Sequence, residues 1–351
     1  MTVLDGLRGC ARTLDPGYFA LVMATGIVSI GMHLHGLTTV SAALLLVSAL
    51  AYVVLLALTG WRLVRFRDEV RTDLTDASRA FGFFTFVAGS NVLGIRLTMD
   101  GWHSTAAVLL AAAAATWLVL GYVIPWTAVL GTRRRPVIAK ANGSWFVWVV
   151  AAQSVALAAA TLEPVYDDLR RPLSLVAVFA WSVGLFLYAA AGVFVAARMM
   201  QYPLRPVDLT PSYWVSMGAA AITVVAGSRI VAMESAPMVD ATRGLVAGLV
   251  VVFWAFATWL LPALVAAGWW RHRTHRIRLR YEPGLWSIVF PLGMYGVAGI
   301  YLAEADELPW VGVVGRTELW VAVTVWAAVF AAMLVHLWRT VLRPRPATVG
   351  R

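Results

Sequence analysis

Pro283-Gly284-Leu285-Trp286-Ser287-Ile288-Val289-Phe290-Pro291-Leu292-Gly293-Met294-Tyr295-Gly296-Val297-Ala298-Gly299 reads as a membrane-crossing helix with a fault built into it. It is apolar throughout, yet it holds a proline and three glycines in what must be helix. Pro291 cannot donate a backbone hydrogen bond and crowds the preceding turn, so the carbonyl of Ser287 loses its helical partner and a kink is expected. Phe290 and Gly293 are three positions apart on one helical face, which sets a ring beside a position with no side chain. If that face looks into a pore, the ring is a plug and the glycine is the room around it. Otherwise Phe290 fills ordinary core and the glycines let neighbouring helices approach closely.

The whole chain has the same character. Its 351 residues are 61% hydrophobic and 13% charged, with 17 tryptophans, outside the balance of soluble domains. This is the composition of an all-α integral membrane protein. A net charge of +10 raises the question of nucleic acid, which needs positive charge gathered on one water-exposed face. Here the arginines lie in short runs between apolar segments, so no nucleic-acid partner is expected, and membrane lipids are. Cys10 alone can form no internal disulfide. Residues 1–16 are too polar to hold the apolar core of a cleaved signal peptide, so the first apolar segment is expected to stay.

Ten segments are long enough to cross about 30 Å of hydrocarbon: Gly17–Leu34, Val40–Trp61, Ala80–Met99, Ser104–Leu130, Ser144–Leu162, Leu173–Met199, Tyr213–Met233, Leu245–Trp270, Leu285–Ala303 and Glu318–Trp338. They divide the chain into an N-terminal piece (1–16), a ten-helix domain (17–338) and a basic tail (339–351). All but six of the 28 basic residues, the exceptions being Arg96, Arg170, Arg171, Arg229, Arg243 and Arg316, fall on the side that holds both termini. By the positive-inside rule both termini are cytoplasmic, in a multi-pass protein of the cell membrane.

Stacking the segments as five hairpins shows a repeat. The odd segments begin alike, with Asp15-Pro16-Gly17-Tyr18-Phe19, Arg79-Ala80-Phe81-Gly82-Phe83, Asn142-Gly143-Ser144-Trp145-Phe146, Thr210-Pro211-Ser212-Tyr213-Trp214 and Glu282-Pro283-Gly284-Leu285-Trp286. A period of one hairpin follows. Odd segments carry glycines and small polar residues (Thr25-Gly26, Gly89-Ser90-Asn91, Gln153-Ser154, Gly218, Gly227-Ser228), whereas most even ones are plain alanine, valine and leucine. Such residues are tolerable at depth only against protein or a water-filled cavity, which puts five odd helices inside, around a central pore, and five even ones outside. Pro125 and Pro262, at corresponding places in the fourth and eighth segments, are expected to mark kinks.

Catalytic and metal chemistry find no support. His33 and His35 point about 200° apart on a helix and read as interfacial residues; His272 and His275 lie in a basic loop. There is no Walker A, Rossmann, HExxH or nucleophile-elbow motif, and no cofactor is implied. The middle of most segments lacks charge. Arg96 and Arg229, toward the outer ends of odd segments, are either an electropositive vestibule for anions or snorkelling anchors. The run from Arg271 to Arg280 suits anionic headgroups, a pore mouth, or topology alone.

Pro16 to Gly26, Asn142 to Phe146, and the Trp286…Phe290-Pro291 pattern with Gly293 resemble the tellurite-resistance/dicarboxylate transporter family, which includes plant slow anion channels and fungal malate and sulphite transporters. The resemblance covers nearly the whole chain. It implies a pore within each protomer along five inner helices, with Phe290 as its gate, and protomers assembled as homotrimers; Gly26, Gly89, Gly218, Pro291 and Gly293 are the candidates for lining that pore or for kinks. The third and fifth segments depart from it, lacking the proline of the others. The expected function is passage of small anions, with proton-coupled carriage of malate-like dicarboxylates or export of sulphite or tellurite as the alternative; an enzyme is not expected.

Overall fold

The computed structural model describes residues 3–131, 136–234, 236–305 and 308–342. Arg133, Arg134, Arg135, Asp306, Glu307 and the tail arginines Arg343, Arg345 and Arg351 lie outside the described residues. Ten described helices are long and apolar enough to cross a membrane: Pro16–Leu34, Thr38–Arg65, Ala80–Thr98, His103–Leu130, Gly143–Val165, Asp167–Gln201, Pro211–Val231, Pro237–Thr274, Pro283–Ala305 and Pro309–Thr340, spans 1 to 10 in order.

The two layers expected from residue type are present. In each odd span 78–89% of the apolar stretch is buried, against 17–33% in each even span. Spans 1, 3, 5, 7 and 9 close a ring in that order, each touching both neighbours, with span 9 returning to span 1. Every even span packs on the odd span before it and, less extensively, on the next. Lipid-facing valines, leucines and aromatics of the even spans remain exposed, Phe186 and Tyr122 among them. The hydrocarbon covers these faces, and the polar and small residues are left to the protein interior.

The repeat extends to the first turns. Each odd span opens with a 3-10 turn, and these five turns form a second closed ring. Prolines start three of them, where a missing N–H costs nothing; Asp15 and Asn142 accept hydrogen bonds from the backbone of Gly17 and Ser144 at 2.7 and 2.8 Å. At the proline's position span 3 has Ala80 and span 5 has Gly143, and in both first turns a glycine stands where a neighbour's backbone passes. A Cβ on Gly143 would stand 2.3 Å from the carbonyl of Ser212, and one on Gly82 2.9 Å from the amide of Gly17. At the opposite end, hairpins 1 and 2 turn through the same glycine-closed motif. Gly36 and Gly101 have φ of +78° and +83°, and the residues after them bond back to Met32 and Leu97, satisfying carbonyls the helix end leaves open.

Several boundaries differ from the hydropathy reading. Even spans include charged turns that hydropathy assigns to loops, so spans 6, 8 and 10 start at Asp167, Pro237 and Pro309. Glu318 therefore does not begin span 10 but falls in about its third turn. The extra turns of span 10 pack on span 9, where a Cβ on Gly315 would stand 2.6 Å from the carbonyl of Gly296. Span 8 runs on through Pro262, and Pro125 opens a π-helical turn, Pro125–Leu130. Two shorter helices, Val3–Arg12 and Arg67–Thr75, flank the basic end of the bundle.

Candidate functional site

Span 9 runs as helix from Trp286 to Ala305 with Pro291 inside it. Phe290 is wholly buried, as are Ala24, Ala88, Val149, Ala219 and Val289 on the ring helices. Every ring helix thus carries side chains without solvent contact. The ring of Phe290 lies over span 7: a Cβ on Gly218 would stand 3.1 and 3.2 Å from two of its carbons and 2.9 Å from Cγ of Pro291. The room for the ring is thus made by Gly218 on the neighbouring helix. Gly293 instead meets Ile27 and Val28 of span 1, at 3.0 and 3.4 Å from its would-be Cβ. Gly26 faces Val92 of span 3, and Gly89 faces Phe19 and Val22 of span 1. Each glycine candidate stands at a seam between ring helices.

The two arginine candidates part company. Arg96 is 1% exposed and neither lines an open vestibule nor snorkels to lipid. Its Nε donates to Ser29 Oγ of span 1 at 3.0 Å and to Ser41 Oγ of span 2 at 2.9 Å, and its Nη1 lies 3.0 Å from Asp100. Ser29 and Ser41 each donate to the other's carbonyl at 2.7 Å. The charge is drawn toward the outer helix and bridges three spans. Arg229 is half-exposed; its guanidinium lies 4.9 Å from the centre of the Tyr301 ring, and it forms no ion pair with a described carboxylate.

Polar pairs across the ring were not legible as pairs, since they join distant segments. Asn91 of span 3 donates to Ser154 of span 5 at 3.0 Å, and its Oδ1 is buried without a partner. Gln153 points outward, donating to the carbonyl of Trp181 on span 6. His35 contacts the carbonyl of Arg316 at 3.1 Å and the Trp320 ring, the docking of an interfacial histidine. At the basic end Asp73 holds both Arg62, at 2.6 Å, and Arg79, at 2.8 Å. Burial opposes ionisation of Asp76, but hydrogen bonds from the Ser78 amide and hydroxyl and from Lys140 outweigh it and hold the carboxyl below its ordinary range. No described group of three or more His, Cys, Asp or Glu is placed to hold a metal.

Ten spans with the odd five in an inner ring match the fold that the resemblance implies, and the profile of the voltage-dependent anion channel family matches residues 13–334. The chain belongs to this family. Within it and around it, an uncharacterized membrane protein of Mycobacterium tuberculosis is 59% identical over 167 residues, 48% of this chain and 81% of the relative. An uncharacterized transporter of Methanocaldococcus jannaschii is 22% identical over 334 residues, 92% of this chain and 94% of the relative. A second from that organism is 21% identical over 296 residues, 82% and 84% of the two chains. Membership of the voltage-dependent anion channel family agrees with ten spans and with transport of anions as the broad activity.

Proposed function

We propose that the chain passes small anions across the cell membrane along the axis of its inner ring, and that Phe290 is the gate. The observation that carries this reading is the seating of a fully buried Phe290 against Gly218: a ring held over a glycine can swing aside without moving a helix. Anions gather at Arg229, shed part of their water in the narrow bore, and pass when the ring moves. Selectivity follows from diameter and from backbone and hydroxyl dipoles rather than a fixed charge. Inorganic anions, C4-dicarboxylates and oxyanions such as sulphite or tellurite are the candidate substrates. Both termini face the cytoplasm, following the basic asymmetry, and homotrimeric assembly follows the family resemblance. No catalytic step is part of this reading.

The test is current across a planar bilayer in chloride, nitrate and malate, wild type beside Phe290→Ala. Removing the ring is expected to raise anion current about tenfold or more, a barrier change of roughly 1.4 kcal/mol. Unchanged current from folded, inserted mutant protein would remove Phe290 as the gate.

One observation favours proton-coupled carriage as the second reading. Glu318 places a carboxylate within span 10, half-buried, with Oε1 buried and unbonded, and an ionisable group at depth is the usual means of handling a proton. Malate or sulphite uptake by proteoliposomes only under a pH gradient, and lost in Glu318→Gln, would select that reading over a channel.

A further inference from the structure

The five arginines at 271, 273, 276, 278 and 280 differ from the basic residues of the first two hairpins. There Arg12, Arg62 and Arg79 meet Glu69, Asp73 and Asp15. None of the five at and beyond the end of span 8 pairs with a described carboxylate. Fixing topology requires only that such charges stay on one side; it does not require a cavity under them, and there is one.

A cleft of about 270 Å³ opens between the end of span 8 and the first turns of spans 7 and 9. Its walls are mostly apolar, including Leu264, Leu285 and Ile288, and its polar rim is Thr210, Arg271 and His272. Val265 and Leu279, also on the wall, are largely exposed, so the cleft is open at the surface. The Arg271 guanidinium is held over it by a hydrogen bond from Nη1 to the carbonyl of Leu209, while Nε is buried and has no partner. His272 Nδ1 lies 2.8 Å from the carbonyl of Ile277, which folds the arginine run back over the same rim. An apolar slot at the depth of acyl chains, under an unanswered guanidinium at headgroup level, matches one class of molecule in shape and charge.

We propose that an anionic glycerophospholipid of the bilayer binds here. Its phosphodiester meets Arg271 and the adjacent basic run, and an acyl chain lies along Leu264 and Ile288. The lipid braces span 9 two residues before Phe290 and joins it to spans 7 and 8.

The experiment compares protein in vesicles of phosphatidylcholine alone and of phosphatidylcholine with phosphatidylglycerol, reading retained lipid by native mass spectrometry and thermal stability in both. Three variants are used. Arg271→Gln removes the charge at the rim. Gly268→Phe fills the slot from a position whose Cβ would meet nothing within 4 Å. Arg280→Gln removes an equal charge elsewhere in the run. Wild type is expected to retain phosphatidylglycerol selectively and to be stabilised by it. Arg271→Gln and Gly268→Phe should each weaken retention about thirtyfold or more, and Arg280→Gln about fivefold or less, which is what one basic residue near an anionic surface contributes. Equal loss in all three variants, no loss in Arg271→Gln, or equal retention of phosphatidylcholine would overturn the proposal. Should Gly268→Phe fail to insert, Arg271→Gln leaves the slot's shape intact and decides alone. Neither readout depends on transport, so failure here is distinct from failure of the gate.

Discussion

The seam between spans 1 and 3 and the seam between spans 7 and 9 occupy corresponding kinds of place in one ring, yet they are built to different ends. Across the first, Gly26 and Gly89 each admit the other helix, Thr85 donates to the carbonyl of Pro16 at 3.1 Å, and buried Arg96 ties span 3 to spans 1 and 2. Across the second, Gly218 receives the Phe290 ring and Pro291, and the hydrogen bond among described residues is the long one from Arg229 to Tyr301, 3.4 Å. Polar ties with fixed geometry resist sliding. A ring lying on a glycine resists only by dispersion contacts that a rotation of its side chain gives up. The repeat supplies the same helix pair several times, and side chains decide which pair is a frame and which can move.

The contrast breaks most readily at Arg96. Arg96→Met removes two charge-assisted hydrogen bonds from a buried site, each worth about 1.5–3 kcal/mol, against which relief of the buried charge's desolvation is set. The net expectation is a loss of about 2–3 kcal/mol, seen as a fall in Tm of several degrees, with single-protein anion conductance unchanged. Asp100 is 38% exposed at its side chain and stays hydrated, so it adds little to the loss. A variant as stable as wild type would show that this seam is not held by its arginine.

Gly218→Ala sharpens the comparison from the other side. The added methyl would meet the Phe290 ring and Pro291 at about van der Waals overlap, and overpacking costs about 1–3 kcal/mol in a tight core. If the ring is the element that gives way, anion current rises several-fold while Tm falls only modestly. Combining it with Phe290→Ala should add nothing further to the current, since the seat and the ring act as one unit. Additive effects of the two changes would separate the seat from the gate.

Much of this arrangement is legible in the sequence because the bilayer enforces it. Ten apolar runs, the inside-outside division and the place of Phe290 in span 9 follow from helix length and from where glycine and hydroxyl residues can be tolerated. The ends of the even spans do not follow, because helix includes Asp240, Arg243 and Arg316, where hydropathy has nothing to say. Nor does the partner of a given residue. Arg96 reads as a vestibule charge until Ser29 and Ser41, 67 and 55 positions away, are brought to it. Phe290 reads as served by Gly293 until span 7 brings Gly218 under it. The proline missing from spans 3 and 5 reads as a departure from the family pattern, and in span 5 the close backbone of Ser212 shows why Gly143 stands in its place.

Arg229 gives the smallest effect and the finest discrimination. It has the same placement in its span as Arg96, but its charge is half-exposed and stacked on Tyr301, so under the proposed function its worth lies in the field it adds at a pore mouth rather than in holding helices together. Arg229→Gln should leave Tm within about 1 °C, since a single exposed contact of this kind contributes well under 1 kcal/mol. Anion current should fall about two- to threefold at low ionic strength and recover as salt shortens the Debye length below about 8 Å. Arg96→Met is expected to show the opposite pairing, a large stability loss with a salt-independent current. If both arginines moved Tm and neither moved the current, the two seams would differ in strength alone, and the attraction of anions would have to come from the backbone ends of the ring helices.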